Sequence, residues 1–100
     1  MDESWFVYAI VSLKNRQIYV GMSQNIERRI IEHNSGHTKS TRAYIPWELF
    51  FTENANGSKQ ARSREKYWKS GIGKEKLKII LSTSNINYWP RSSTDRTEVS

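Results

Sequence analysis

Apolar residues fall in short runs whose period changes along the chain. Trp5-Phe6-Val7-Tyr8-Ala9-Ile10-Val11 is apolar at both parities, rich in β-branched and aromatic side chains and too short for a stable helix, which predicts a strand covered on both faces. Lys14-Asn15-Arg16 reads as a turn and Gln17-Ile18-Tyr19-Val20-Gly21 as a second strand, making a β-hairpin. If its loop has an even number of residues, facing positions sum to an odd number, and Tyr8 and Tyr19 point to the same face. The period then lengthens. Ser23 or Asn25 can cap a helix that runs to about Asn34 and ends at Ser35-Gly36, with Ile26, Ile30 and Ile31 as its buried stripe. On that helix Arg29 and His33 lie on one flank, while Arg28 and Glu32 can pair in solvent. A polar, basic loop from Gly36 to Ala43 leads to a third strand from Pro46 to Thr52 and a turn from Asn54 to Gly57. Ser58 caps a second helix to about Ser70, which Gly71 and Gly73 break before a short third helix from Lys74 to Ile80. The order is β-β-α-β-α-α. From Ser82 the chain turns to Ser, Thr and Asn with little periodicity, so residues 81–100 are expected to form a disordered tail.

One position breaks this pattern. Ala61, Glu65, Trp68 and Ile72 share a face of the second helix, and a lone buried carboxylate is costly, so Glu65 needs a partner, a metal or a cleft. An ion pair with Arg29 would also satisfy it. The same segment carries the net charge. Residues 1–57 hold six basic and six acidic side chains, and residues 81–100 two of each. The whole formal charge of +6 therefore lies between Ser58 and Ile80, where Lys59, Arg62, Arg64, Lys66, Lys69, Lys74, Lys76 and Lys78 outnumber Glu65 and Glu75. Clustered cations of this kind suit a nucleic-acid partner, through release of counterions from the phosphate backbone, or else form a solvated helix face.

Composition narrows the chemistry. One hundred residues make about one domain. The absence of cysteine excludes thiol nucleophiles, zinc–thiolate and iron–sulfur sites and any disulfide-linked partner. His33 and His37 have the spacing of a helical metal pair, but Ser35-Gly36 ends the helix between them. No Walker loop, dinucleotide fingerprint or Ser/His/Asp arrangement is present. No run approaches the ~20 apolar residues of a membrane span, and the acidic Asp2 and Glu3 stand where a secretory signal would be basic, so a soluble, cytoplasmic protein is expected.

What remains is an ordered set: Phe6-Val7-Tyr8, Tyr19-Val20-Gly21 with its tyrosine eleven residues later, Arg29, His33, and Glu65 within Ala61-Arg62-Ser63-Arg64-Glu65. In this order and at these spacings, residues 4–80 resemble the GIY-YIG endonucleases, and most nearly the short stand-alone bacterial members, whose runs are echoed in Glu32-His33-Asn34-Ser35-Gly36 and Pro46-Trp47-Glu48-Leu49. Phe6 stands where the first motif has its glycine, and Val7 and Val20 replace isoleucines. The asparagine that several members carry near the end of the module has no counterpart that can be placed here.

The resemblance implies an α+β fold with a three-stranded antiparallel sheet flanked by helices. It also implies phosphodiester hydrolysis in DNA with one divalent ion, Mg²⁺ or Mn²⁺. Position by position, Glu65 matches the metal-holding carboxylate and Arg29 the arginine at the scissile phosphate. Tyr19, with Tyr8 beside it, matches the group that positions or deprotonates the attacking water, a task that requires metal and Arg29 to depress a phenol pKa near 10. His33 would orient Tyr19 or relay a proton. Lys39, Arg42, Lys59, Arg62, Lys66 and Lys69 are the expected phosphate contacts. With no room for a sequence-reading domain, low sequence specificity is expected, directed at branched, damaged or single-stranded forms as in DNA repair. The competing expectation is a nucleic-acid-binding module with this fold and little turnover.

Overall fold

The computed structural model describes residues 4–83. Its sheet has three antiparallel strands, β1 (Ser4–Ser12), β2 (Ile18–Ser23) and β3 (Trp47–Asn56), in the order β2-β1-β3. Helix α1 (Ile26–Asn34) follows the hairpin, and α2 (Gly57–Lys69) and α3 (Gly71–Thr83) follow β3. This is the expected β-β-α-β-α-α order and the expected α+β architecture. Being central, β1 buries Val7 through Ser12 on both faces, as its unbroken apolar run predicted.

The two faces of the sheet carry different cores. Val7, Ala9 and Val20 pack with Ala55, Ala61, Trp68 and Leu77, beneath α2 and α3. Tyr8 and Ile10 pack with Trp47, and Tyr19, Ile26, Ile30 and Leu49 close around them beneath α1. Tyr8 faces Gly21 and Ile10 faces Tyr19 across the hairpin, so the odd-sum register holds and both tyrosines lie on the α1 face. A bulge in β3 gives that face its floor. Tyr8 pairs with Thr52 and Ala9 with Phe51, but Ile10 pairs with Leu49, so the pairing skips Phe50. The extra residue switches parity. Trp47 and Leu49 turn toward α1, whereas Phe51, Glu53 and Ala55 turn toward α2.

Several expected boundaries move. The turn predicted from Asn54 to Gly57 is strand as far as Asn56, because Phe6 and Ser4 of the long central strand pair with Asn54 and Asn56 and outweigh the turn preference of asparagine. The N-cap of α2 is therefore Asn56 and not Ser58, and its N–H donates to Gln60 Oε1 at 2.6 Å. Gly71 and Gly73 open α3 and do not interrupt it. A Cβ on Gly73 would collide with the Tyr67 carbonyl and the Trp68 backbone, so this glycine lets α3 cross α2 at backbone contact. Ile72 accordingly belongs to α3 and is 67% exposed, outside the α2 stripe where periodicity placed it. Helix α3 continues through Thr83, past the expected domain end, and the rest of the expected tail lies outside the described residues.

Candidate active site

Helix α1 presents a different stripe from the one its isoleucines suggest. Ile26 and Ile30 are packed, but Ile31 is 67% exposed and the fully buried residue is His33. The helix is turned so that an imidazole, not a third isoleucine, faces the sheet. Asn25 caps its start by accepting from the Arg28 N–H. Asn34 fixes its end: the side chain donates to the Trp47 carbonyl at 3.0 Å and accepts from the Trp47 N–H at 2.6 Å. These two bonds tie α1 to the start of β3 and set the depth of His33.

Burial of an imidazole is tolerable only when both nitrogens are satisfied. Nε2 lies 2.8 Å from the Tyr8 hydroxyl and Nδ1 2.8 Å from Thr41 Oγ1. The imidazole edge packs against Tyr19, with ring centroids 5.1 Å apart, and Tyr19 packs in turn against Trp47 at 6.3 Å. The expected link between His33 and Tyr19 is therefore a ring contact, and the hydrogen bond goes to Tyr8. Thr41 was not singled out from sequence, because a threonine in a polar loop carries no distinguishing signal.

Tyr8 reaches His33 by lying over Gly21. A Cβ there would come within 2.5 Å of the phenolic oxygen, which gives the glycine of Tyr19-Val20-Gly21 a steric role. Burial pushes the Tyr8 hydroxyl up to about 12, and although the neighbouring Arg29 charge works in the opposite direction it does not prevail. Burial, reinforced by the Arg29 charge, pulls His33 down to about 4. At neutral pH the pair therefore rests as a phenol and an uncharged imidazole.

Arg29 stands at the rim. It donates to Glu32 Oε1 at 2.7 Å, which raises its own pKa and lowers that of Glu32, and its charge is felt at Tyr8. Arg28 pairs with the same carboxylate at 3.4 Å in solvent. An ion pair between Arg29 and Glu65 does not form. Glu65 pairs instead with Lys69, 3.4 Å away and one turn along α2, yet stands close enough to Tyr8 for its charge to be felt there. Its side chain is 20% exposed, between the apolar face of Ala61 and Trp68 and the solvent-facing cations.

Lys59, Arg62, Lys66 and Lys69 lie three or four residues apart along α2 and all are exposed, forming one stripe beside Glu65. Lys39 and Arg42 are exposed on the loop that carries Thr41. Arg64 departs from the charge pattern: it pairs with Glu53 at 3.1 Å and stacks on Tyr67, 4.8 Å from the ring centroid, while Glu53 also accepts from the Trp68 indole at 2.6 Å. It is a structural cation. His37 is exposed and bonded to Ser35 Oγ, apart from His33, so the two do not form a metal pair.

Among the described residues no three His, Cys, Asp or Glu side chains converge as a ready-made metal cage. A single carboxylate at a solvent edge, held only by an exposed lysine, suits an ion of the Mg²⁺ type, which keeps several waters and takes other ligands from phosphate. The donor set therefore fits such an ion at Glu65. No described helix is long and apolar enough to cross a membrane.

The family model for the GIY-YIG catalytic domain matches residues 4–78. A UPF0213 protein of Clostridium perfringens is 38% identical over 80 residues, spanning 79% of this chain and 85% of its own length. A UPF0213 protein of Staphylococcus saprophyticus is 36% identical over 76 residues, 75% of this chain and 92% of its own. The solution NMR structure of a UPF0213 protein from Bacillus halodurans aligns over 92% of this chain and 99% of that one, with 28% identity and a TM-score of 0.48. Since the catalytic-domain match runs from the first strand into the last helix, this chain belongs to the GIY-YIG nuclease family.

Proposed function

We propose that this protein is a divalent-metal-dependent endonuclease that hydrolyses phosphodiester bonds in DNA with little sequence specificity. The observation that carries the reading is the hydrogen bond between Tyr8 and His33, with Tyr8 in the field of both Arg29 and Glu65. A buried phenol and imidazole in hydrogen-bond contact, both with strongly shifted pKa values, mark a functional-site candidate.

Arg29 binds the scissile phosphate. Its planar, permanently charged fork stabilises the negative charge that accumulates on the phosphate oxygens in the transition state. Tyr8 takes a proton from the attacking water while passing its own to His33 Nε2. The water oxygen bonds to phosphorus, the bond to the leaving oxygen breaks, and solvent protonates that oxygen. The relay avoids a free tyrosinate, which burial makes costly. Tyr19 positions the water and braces the imidazole through its edge contact. Glu65 would hold Mg²⁺ or Mn²⁺, and such an ion supplies Lewis-acid stabilisation of phosphate charge when bound. The stripe of Lys59, Arg62, Lys66 and Lys69, with Lys39 and Arg42, grips the backbone without reading bases.

The test is cleavage of linear, nicked, branched and single-stranded DNA, and of RNA, with Mg²⁺, Mn²⁺ or a chelator. Metal-dependent cutting of at least one DNA form, nearly independent of sequence, is expected. Tight binding with no cutting under any metal would overturn the enzyme reading in favour of a binding module.

A further inference from the structure

The loop between α1 and β3 is polar and mostly exposed, yet Thr41 within it is 0% exposed while its neighbours Ser40 and Arg42 face solvent. What its atoms touch accounts for the burial. The Thr41 N–H donates to the Thr38 carbonyl at 3.1 Å, and the Thr41 carbonyl accepts from the Trp47 indole at 2.7 Å. The hydroxyl lies 2.8 Å from His33 Nδ1 and 3.4 Å from the Thr38 carbonyl oxygen.

The proton positions follow from counting donors. A hydroxyl has one proton to give, and a carbonyl oxygen can only accept. If Thr41 gives its proton to Thr38, its oxygen receives an N–H from His33 Nδ1, and Nε2 is left with a lone pair. That lone pair is what the Tyr8 hydroxyl needs. The Tyr8 hydroxyl is buried and its hydrogen-bond partner is His33 Nε2, 2.8 Å away, so the proton of that O–H has its acceptor there. The opposite tautomer would point an N–H at the Tyr8 oxygen and leave its buried O–H without the acceptor it now has. In the first arrangement every proton in the chain has one acceptor.

We propose that Thr41 is a positioning residue: its hydroxyl holds His33 in the Nδ1–H tautomer, so that Nε2 faces the Tyr8 hydroxyl as a proton acceptor. Its consequence for cleavage rests on the nuclease reading above, but the tautomer does not. Trp47 extends the same device, since its indole grips the Thr41 carbonyl while its ring braces Tyr19. Thr41 of the loop thus sets the tautomer of the imidazole, and Trp47 at the start of β3 braces both Thr41 and the second tyrosine.

The experiment is ¹⁵N NMR of the imidazole nitrogens in the full chain at pH 7, with His37→Gln used to assign His33. Wild type should show a protonated Nδ1 and an unprotonated Nε2. Thr41→Val, of nearly the same shape, should lose this preference, and Thr41→Ser should keep it. In single-turnover cleavage, Thr41→Val should lower the rate roughly 10- to 100-fold at unchanged substrate affinity, with recovery in Thr41→Ser. A wild-type spectrum with the proton on Nε2, or a Thr41→Val spectrum identical to wild type, would overturn the proposal. If Thr41→Val does not fold, the wild-type spectrum alone decides it. Absence of cleavage in every protein, with the Nδ1–H spectrum observed, would overturn the nuclease reading and leave the tautomer established.

Discussion

Neighbouring residues of β1 serve different ends. Val7 and Ala9 enter an apolar layer with Val20, Ala61 and Leu77, where any side chain of the right volume would do. Tyr8 enters a layer in which its hydroxyl has one partner, His33, whose other nitrogen has one partner, Thr41. Apart from the pairing of Glu53 with Trp68 and Arg64, the α2–α3 face is held by volume, and around Tyr8 the α1 face is held by matched donors and acceptors. Substitutions on the first should therefore cost stability, and those on the second should cost chemistry first.

The largest separation is expected at Arg29. Arg29→Ala should reduce cleavage roughly 10³-fold, about 4 kcal/mol of transition-state stabilisation, while its melting temperature stays close to wild type because the pair it loses is partly exposed. Single-turnover cleavage beside thermal unfolding reads both quantities. Leu77→Ala is the converse. It empties fully buried space under α3 and should cost about 3–4 kcal/mol in denaturant unfolding, with cleavage by the folded fraction unchanged. Equal loss of activity and stability in both variants would erase the distinction between the faces.

Titration sharpens the contrast. The folded pKa of His33, about 4, is depressed below its unfolded value near 6.5, so between those values the unfolded chain binds more protons. Its contribution, about 3 kcal/mol, is complete above pH 6.5 and lost as pH falls toward 4. Urea unfolding across this window should show the slope, and His33→Gln should flatten it. A smaller effect is expected at Gly21, where a methyl group meets the Tyr8 hydroxyl at 2.5 Å. Gly21→Ala should cost about 1–3 kcal/mol and displace Tyr8 from His33, visible as a changed His33 ¹⁵N signal. Smallest is Arg28→Ala, which removes a solvent-exposed ion pair and should alter unfolding by less than about 0.5 kcal/mol.

Sequence pattern carried the element order, the shared face of Tyr8 and Tyr19 and the oddity of Glu65, because each depends on local period or on one charge out of place. It misjudged Ile31 and His33, since hydropathy ranks an isoleucine above an imidazole and cannot see that Tyr8 and Thr41 lie in wait for the latter. The β3 bulge at Phe50 was equally hidden. It follows from pairing with β1, and without it Trp47 and Leu49 would share the face of Phe51. Thr41 and Asn34 were hidden for the same reason: their partners lie eight and thirteen residues away, and residue type alone does not report them. Arg64 shows the limit of a charge tally: it adds to the basic excess of the Ser58–Ile80 segment, yet it is committed to Glu53 and Tyr67.

On the proposed function, the α1 face acts with Glu65 of α2 to hydrolyse phosphodiester bonds with the help of a divalent ion. Glu65→Gln keeps the shape of the side chain and removes its charge, and the stripe of Lys59, Arg62, Lys66 and Lys69 remains to bind the backbone. The decisive measurement is cleavage and binding of one DNA substrate in Mg²⁺ by wild type and Glu65→Gln side by side. Wild type should cut, while the variant should bind at least as well and cut roughly 10³-fold more slowly or not at all. Cleavage by Glu65→Gln at the wild-type rate would contradict it.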